Sequence, residues 1–182
     1  NGLIYGTTLQ GGNNGYGTIF EYDPETGTFV TKASFDYSKG AYPYANLIQT
    51  DNDDIIGTCT SGGAYGYGTL WKFDASTGTI TKLKDFDQYT TGSYPYHGVM
   101  QASNGKLYGL TFQGGPGNYG TLYEFDPITN SFTLLHSFNY GSTGAYGIGK
   151  PVEVDGKLYG VTYQGGSTGN GTIFEYDPGT ST

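Results

Sequence analysis

One phrase recurs four times along this chain at nearly constant spacing, and that recurrence limits the fold more than any single residue does. It reads GLIYGTTLQGGNNGYGTIFEYDP over 2–24, DIIGTCTSGGAYGYGTLWKFDA over 54–75, GKLYGLTFQGGPGNYGTLYEFDP over 105–127 and GKLYGVTYQGGSTGNGTIFEYDP over 156–178. The pairs Gly11-Gly12, Gly62-Gly63, Gly114-Gly115 and Gly165-Gly166 mark the same point of each copy, 51, 52 and 51 residues apart. A fixed period of this size marks a repeat architecture, in which each unit buries its apolar surface only against its neighbours. Residues common to all copies are therefore framework before they are chemistry.

Each complete unit holds four stretches of strand character separated by Gly, Pro, Asn or Asp. In the best-defined unit they are HGVMQAS (97–103), KLYGLTF (106–112), GTLYEFD (120–126) and SFTLLHSF (131–138). Asn104-Gly105 between the first two predicts a type I′ hairpin, repeated at Asp155-Gly156 and varied at Asn52-Asp53-Asp54. Short turns between successive strands give an antiparallel meander, and no stretch has a helical period. In the third stretch an aliphatic residue precedes an aromatic one, as in Ile19-Phe20, Leu70-Trp71, Leu122-Tyr123 and Ile173-Phe174. Neighbours on a strand point to opposite faces, so both faces of each sheet are expected to be buried.

Radially packed sheets have that property. The fold expected is all-β, with β-propeller-type repeats of four-stranded antiparallel sheets. The double glycines are expected to let neighbouring sheets approach closely near the crowded centre. The sequence divides as one repeat domain, 1–182, with a partial unit 1–36, full units 41–87 and 93–138, and a partial unit 145–182. These hold three, four, four and three strands. The count predicts an incomplete propeller that belongs to a longer repeat protein or closes with other copies of itself.

The order of the double glycine, the Tyr-Asp-Pro and the following aromatic resembles a kelch blade. The fuller match is to the bacterial tandem repeat called GloVer, after Gloeobacter and Verrucomicrobia. Tyr5-Gly6-Thr7-Thr8, Gly17-Thr18-Ile19-Phe20, Asp23-Pro24 and His136-Ser137-Phe138 carry that resemblance, which covers nearly the whole chain. Ile55-Ile56-Gly57 in place of Leu-Tyr-Gly, and Ala75 in place of proline, depart from it. The resemblance implies export to the cell surface or the extracellular space, and it implies no catalytic activity.

Composition narrows the partners. A formal charge of -8, from 8 basic and 16 acidic side chains, lacks the basic stripe that nucleic acid requires. No apolar run reaches the roughly 18 residues of a transmembrane helix, so no membrane insertion is expected. The single Cys59 stands where other units have Thr8, Thr111 and Thr162, and it reads as a small strand residue.

Few residues suggest chemistry. Asp23, Asp74, Asp126 and Asp177 recur at a strand end before turn residues. They read as Asx-turn carboxylates ahead of a ring of metal or sugar ligands. Asp51, Asp53 and Asp54 resemble the opening of a calcium loop, without the glycine and distal glutamate of an EF-hand. Calcium is the one cofactor they suggest. His97 and His136 lie on different strands, without the spacing of a zinc site, and read as strand residues. No catalytic motif is present, so the chain is not expected to be an enzyme. Asn170-Gly171-Thr172 matches a glycosylation sequon, but its last two residues belong to the framework.

The crossovers between units hold the better candidates: Tyr42, Tyr44, Tyr94, Tyr96, His97 and Tyr146. Two readings stand. The tyrosines wedge between units as repeated packing, or they gather at one end of the axis and stack on sugar faces beside Asn46 and Lys150. The expected function is an exported, non-catalytic repeat module for surface binding, adhesion or extracellular structure, with glycans and other copies of itself, or further repeats of the same chain, as partners. The alternatives are a subunit of a filament or layer that joins through open repeat ends, and a propeller hydrolase or lyase.

Overall fold

A computed structural model describes residues 2–180. Among them are fourteen strands and no helix. The first sheet contains β1 (Ile4–Thr8), β2 (Thr18–Asp23) and β3 (Thr28–Ser34). The second contains β4 (Ile48–Gln49), β5 (Ile55–Cys59), β6 (Thr69–Asp74) and β7 (Thr79–Asp85). The third contains β8 (Val99–Gln101), β9 (Leu107–Leu110), β10 (Thr121–Asp126) and β11 (Ser131–Ser137). The fourth contains β12 (Ala145–Val154), β13 (Lys157–Gln164) and β14 (Ile173–Tyr176). In every sheet each strand pairs antiparallel with its neighbour in sequence, and none of the sheets is closed. The fold is thus all-β, an open array of propeller-type sheets.

Three apolar clusters lie between consecutive sheets and form the core. Ile19 and Phe35 of the first unit meet Trp71, Phe73 and Ile80 of the second. Ile56, Leu70 and Phe86 meet Leu107, Tyr123 and Phe125. Leu122, Tyr108 and Phe138 meet Leu158 and Tyr176. Both faces of the second and third sheets are buried, as the alternation of aliphatic and aromatic residues requires: Leu70, Trp71, Leu122 and Tyr123 are all inaccessible.

The recurrent glycine of the second stretch has one physical cause in all four units. Gly6, Gly57, Gly109 and Gly160 sit opposite Phe20, Trp71, Tyr123 and Phe174 in register. In each, the far side of the aromatic ring occupies the space a Cβ would take. The ring takes the place of the missing side chain and closes the sheet surface. The hydroxyl of Tyr123 is buried without a hydrogen-bond partner among the described residues, so this tyrosine serves as an apolar plate.

Turn chemistry differs from expectation at one hairpin. Asn104 does not adopt a positive φ, whereas Gly105 does, at 79°. Gly105 N–H bonds Ala102 C=O at 2.9 Å, giving a tight turn followed by a left-handed residue in place of a two-residue type I′ loop. Asp53, at φ 61°, plays the same part in the second sheet. Only Asp155-Gly156, with φ 51° and 78°, has the two left-handed residues of the type I′ turn.

The four strand-end aspartates form Asx turns. Their Oδ1 atoms accept from the backbone N–H two residues on: Glu25, Ser76, Ile128 and Gly179, each at 2.8 Å. Such bonds favour the ionised form. Hydrogen bonds from Ser76 and Thr77 hold Asp74 down at about 2, and those from Thr26 and Glu25 hold Asp23 below its ordinary value. A carboxylate more acidic folded than unfolded adds stability that is complete above its unfolded value, near 4. That stability is lost as the pH falls through the folded value. Thermal unfolding followed between pH 6 and 2.5 should therefore show a steep decline below about pH 4. Asp74→Asn keeps the turn without the titration and should flatten part of that decline; an unchanged profile would refute the assignment.

Candidate functional site

The crossover that leaves one sheet and enters the next is positioned by a threonine pair. Thr111, just past β9, and Thr121, the first residue of β10, face each other at 2.9 Å, and Thr121 Oγ1 donates to the carbonyl of Thr91 in the crossover at 2.9 Å. Thr172 reaches Thr143 C=O at 3.0 Å and Thr69 reaches Lys39 C=O at 2.8 Å in the same manner. The chain passes so close to these hydroxyls that only glycine fits next, at Gly40, Gly92 and Gly144, all with positive φ. Cys59 occupies a threonine slot of this pair, fully buried, and burial pushes its thiol far above the ordinary range. It is inert framework.

The double glycines serve the same segment. Gly63 N–H bonds Tyr37 C=O at 2.7 Å, Gly115 N–H bonds Gln88 C=O at 2.8 Å and Gly166 N–H bonds Tyr140 C=O at 2.8 Å. The close neighbour these glycines admit is the start of the preceding crossover, which corrects the expectation of a sheet contact at the centre.

Beyond each glycine stands a tyrosine in the left-handed conformation: Tyr42 at φ 59°, Tyr94 at 59° and Tyr146 at 61°. That geometry is uncommon for a residue with a side chain and costs about 1 kcal/mol or more. Hydrogen bonds to both neighbouring units maintain it. Tyr94 N–H donates to Tyr67 C=O at 2.9 Å, and Tyr94 C=O accepts from Phe112 N–H at 3.1 Å. Tyr42 bridges Tyr16 and Thr60 likewise, and Tyr146 N–H bonds Tyr119 C=O at 2.7 Å. The wedge reading thus describes their backbones.

Their rings form a continuous strip together with residues the sequence did not single out. Tyr94 and Tyr96 stack at 6.3 Å, Tyr44 stands edge-on to Tyr96 at 6.0 Å, and His97 lies 6.4 Å from Tyr96. Phe112 joins Tyr96, at 5.5 Å, to Tyr146, at 5.1 Å, and Tyr119 continues the series from Tyr146 at 6.1 Å. Five of the six candidates are therefore brought together. Tyr42 is the sixth, and it pairs with Tyr16 at 6.2 Å instead. Phe112 was missed because its position holds Leu9, Thr60 and Tyr163 in the other units, so no repeated residue type announces it.

Tyr44 is 63% exposed and is the most accessible ring of the strip. Beside it a shallow groove of about 520 Å³ runs past Asn46 and Pro43 to Thr7, Leu9 and Phe20. The strip carries no charge at neutral pH: burial lowers the pKa of His97, and burial with neighbouring tyrosines raises that of Tyr94. Lys150 reaches toward Gly98 at the flank. Such a surface offers ring faces, phenolic hydroxyls and a neutral imidazole, which suit an uncharged, hydroxyl-rich ligand.

The acidic candidates do not converge. Asp54 pairs with Lys72 at 3.3 Å, Asp53 Oδ1 accepts from Gln49 Nε2 at 2.9 Å, and Asp51 N–H donates to Gln101 Oε1 at 2.9 Å. Among the described residues no three His, Cys, Asp or Glu side chains are grouped to hold a metal ion. The carboxylates of Asp53 and Asp54 are turned to other partners. His136 is a strand residue whose Nε2 lies 3.2 Å from Thr143 Oγ1.

Residues 1–174 match the family described as the Gloeobacter/Verrucomicrobia repeat. No curated protein matches the chain. Several solved structures are similar in fold. The TolB protein of Acinetobacter baumannii superposes with a TM-score of 0.60 at 16% identity, over 98% of this chain and 39% of its own. The extracellular domain of a proposed one-component system from B. thetaiotaomicron gives 0.64 at 13% identity, over 98% and 20%. A puromycin-hydrolysing peptidase of Mycobacterium tuberculosis gives 0.61 at 11% identity, over 100% and 26%. This chain spans at most about two fifths of the length of these three proteins.

Proposed function

Because this chain belongs to the Gloeobacter/Verrucomicrobia repeat family, we propose that it is a non-catalytic binding module of the cell exterior that holds neutral carbohydrate along its crossover face. The observation that carries the reading is the uncharged aromatic strip from Tyr44 through Tyr96 and Phe112 to Tyr146. Aromatic faces stack on the apolar faces of sugar rings, and the phenols, His97 and Asn46 supply hydrogen bonds to hydroxyls. The net charge of -8 disfavours polyanionic ligands. The open groove beside Tyr44 suits an extended chain better than an enclosed small molecule. The exterior location is supported by the family resemblance and by likeness to a propeller that is itself an extracellular domain.

Calorimetry with cello- and chito-oligosaccharides tests this directly. Tyr44→Ala removes an exposed ring without touching the core, and Tyr96→Ala removes the ring at the centre of the strip. Each should weaken binding by about tenfold or more. Absence of binding to neutral oligosaccharides, or binding indifferent to Tyr44→Ala, would refute the site. Turnover of any of these sugars would refute the non-catalytic part of the reading.

A further inference from the structure

Residues shared by every unit of a repeat serve packing, so departures that gather in one place need another cause. They gather on the outer rim of the second unit, along its outermost strand β7 and the adjoining loops. Tyr65 stands where the other units have Asn14, Gly117 and Thr168, and Tyr89 where they have Ser38 and Gly141. Lys82 takes the position of Thr31 and Leu134, Lys84 that of Ala33 and His136, and Asp85 that of Ser34 and Ser137. Tyr65 and Tyr89 are 63% and 72% exposed, so neither is there to fill the core. The second sheet has a neighbour packed on each of its faces, which leaves this rim as its open side.

Tyr65, Lys82, Lys84, Asp85, Asp87 and Thr90 line a shallow recess of about 390 Å³ on that rim. Its two amines balance its two carboxylates, but the four groups are not equally committed. Lys82 Nζ lies 2.9 Å from Asp85 Oδ1 and donates to Ser38 C=O at 3.1 Å. Asp85 Oδ1 also accepts from Ala64 N–H at 2.8 Å. Asp87 accepts from Tyr89 N–H at 2.8 Å and from the backbone and hydroxyl of Thr90. Both carboxylates are thus fixed in place and keep acceptor capacity for further hydroxyls. Lys84 forms no ion pair among the described residues. Its partly buried amine lies over the Phe132 ring, 5.0 Å from the centroid. An amine drawn from water without a counter-charge is costly, and an anionic ligand relieves that cost.

We infer that this rim is a second ligand site and that it takes a sugar residue bearing one carboxylate, a uronic acid. Three groups of the recess each call for one part of that ligand. The exposed ring of Tyr65 stacks on the sugar face, Lys84 pairs with the carboxylate, and Asp85 and Asp87 accept from ring hydroxyls. A neutral sugar leaves Lys84 without its anion, and a simple carboxylate leaves Tyr65 and the two aspartates unused. A run of uronates brings like charge toward Asp85, Asp87 and a chain of net charge -8, so a single acidic residue fits better than a polyanion. The site shares no residue with the crossover strip and does not rest on the reading given to that strip.

Titration of the isotope-labelled chain with methyl glucuronide, methyl glucoside and acetate, followed by NMR, tests the inference. The glucuronide should shift the amides of Ala64, Tyr65, Lys84 and Asp85 and bind at least about tenfold more tightly than either control. Tyr65→Ala should weaken glucuronide binding about tenfold. Lys84→Gln should abolish the preference over the glucoside, and Lys84→Arg should retain it, because the charge and not the packing is what the carboxylate meets. Other units carry Gly117 and Ala33 at these two positions, so the variants should fold as the parent does, which circular dichroism checks. Absence of shifts on the rim, equal binding of the glucoside or of acetate, or a preference that survives Lys84→Gln would overturn the inference.

Discussion

Gly57→Ala is expected to cost about 3 kcal/mol of folding stability, seen as a fall of roughly 6–12 °C in Tm for a domain of this size. The added methyl would stand 2.7 Å from Cη2 of Trp71 and nearer still to Cζ2. Trp71 cannot yield, because its indole is fully buried and packed edge-on against Phe35 at 5.1 Å. Backbone strain has no part in the effect, since Gly57 is not among the residues with positive φ. The contrast variant is Gly6→Ala. Its methyl meets the ring of Phe20, which is only partly buried and borders the open face of the first sheet. That ring can move outward, so the expected loss is about 1 kcal/mol. Equal losses at the two positions would show that the aromatic plate is not what makes glycine necessary.

The second large effect is at the crossover. Gly92→Ala is expected to lose about 3 kcal/mol from two sources that add. Gly92 has φ +90°, a conformation side chains rarely adopt, and its Cβ would lie 2.6 Å from Thr121 Oγ1 and nearer still to Thr111 Oγ1. Relief requires the crossover to lift from the threonine pair, breaking the 2.9 Å bond from Thr121 to Thr91 C=O. Tyr94 and Tyr96 follow within four residues, so the same variant should weaken oligosaccharide binding under conditions where it is still folded. Denaturant unfolding with calorimetry on the folded protein separates the two consequences. Full stability in Gly92→Ala would mean that the threonine pair does not hold the crossover.

The residues differ in how far they could be read before the fold was known. The strand order within each sheet follows from short turns between period-two stretches, both local properties of the chain. The Asx role of Asp23, Asp74, Asp126 and Asp177 is local as well, since the N–H each accepts lies two residues on. Asn104-Gly105 shows the limit of local reading. The dipeptide named a hairpin correctly, but Ala102 and Lys106 closed it one residue wider than the type I′ form.

The strip on the crossover face depends on distances no local pattern contains. Tyr96 and Phe112 belong to different segments of one unit, and Tyr146 enters the next, yet their rings meet at 5.1 to 5.5 Å. Tyr42 and Tyr94 each pair with the equivalent ring before them, Tyr16 and Tyr67, but Tyr94 also stacks on Tyr96, and that second contact is what joins it to the strip. The three aspartates at 51, 53 and 54 looked like a ligand set in one dimension, but in three the carboxylates of Asp53 and Asp54 are turned to separate partners.

The recurring phrase by itself determined the unit, its strands, the places of its turns and the burial of both faces of the two inner sheets, because each follows from alternation along a strand and from residues a few positions apart. Only the tertiary structure decided why every unit keeps a bare glycine beneath an aromatic ring and which tyrosines join one surface. Those are relations between strands and between sheets, set by how side chains distant in sequence stack, and a repeat states that they recur without stating what they are.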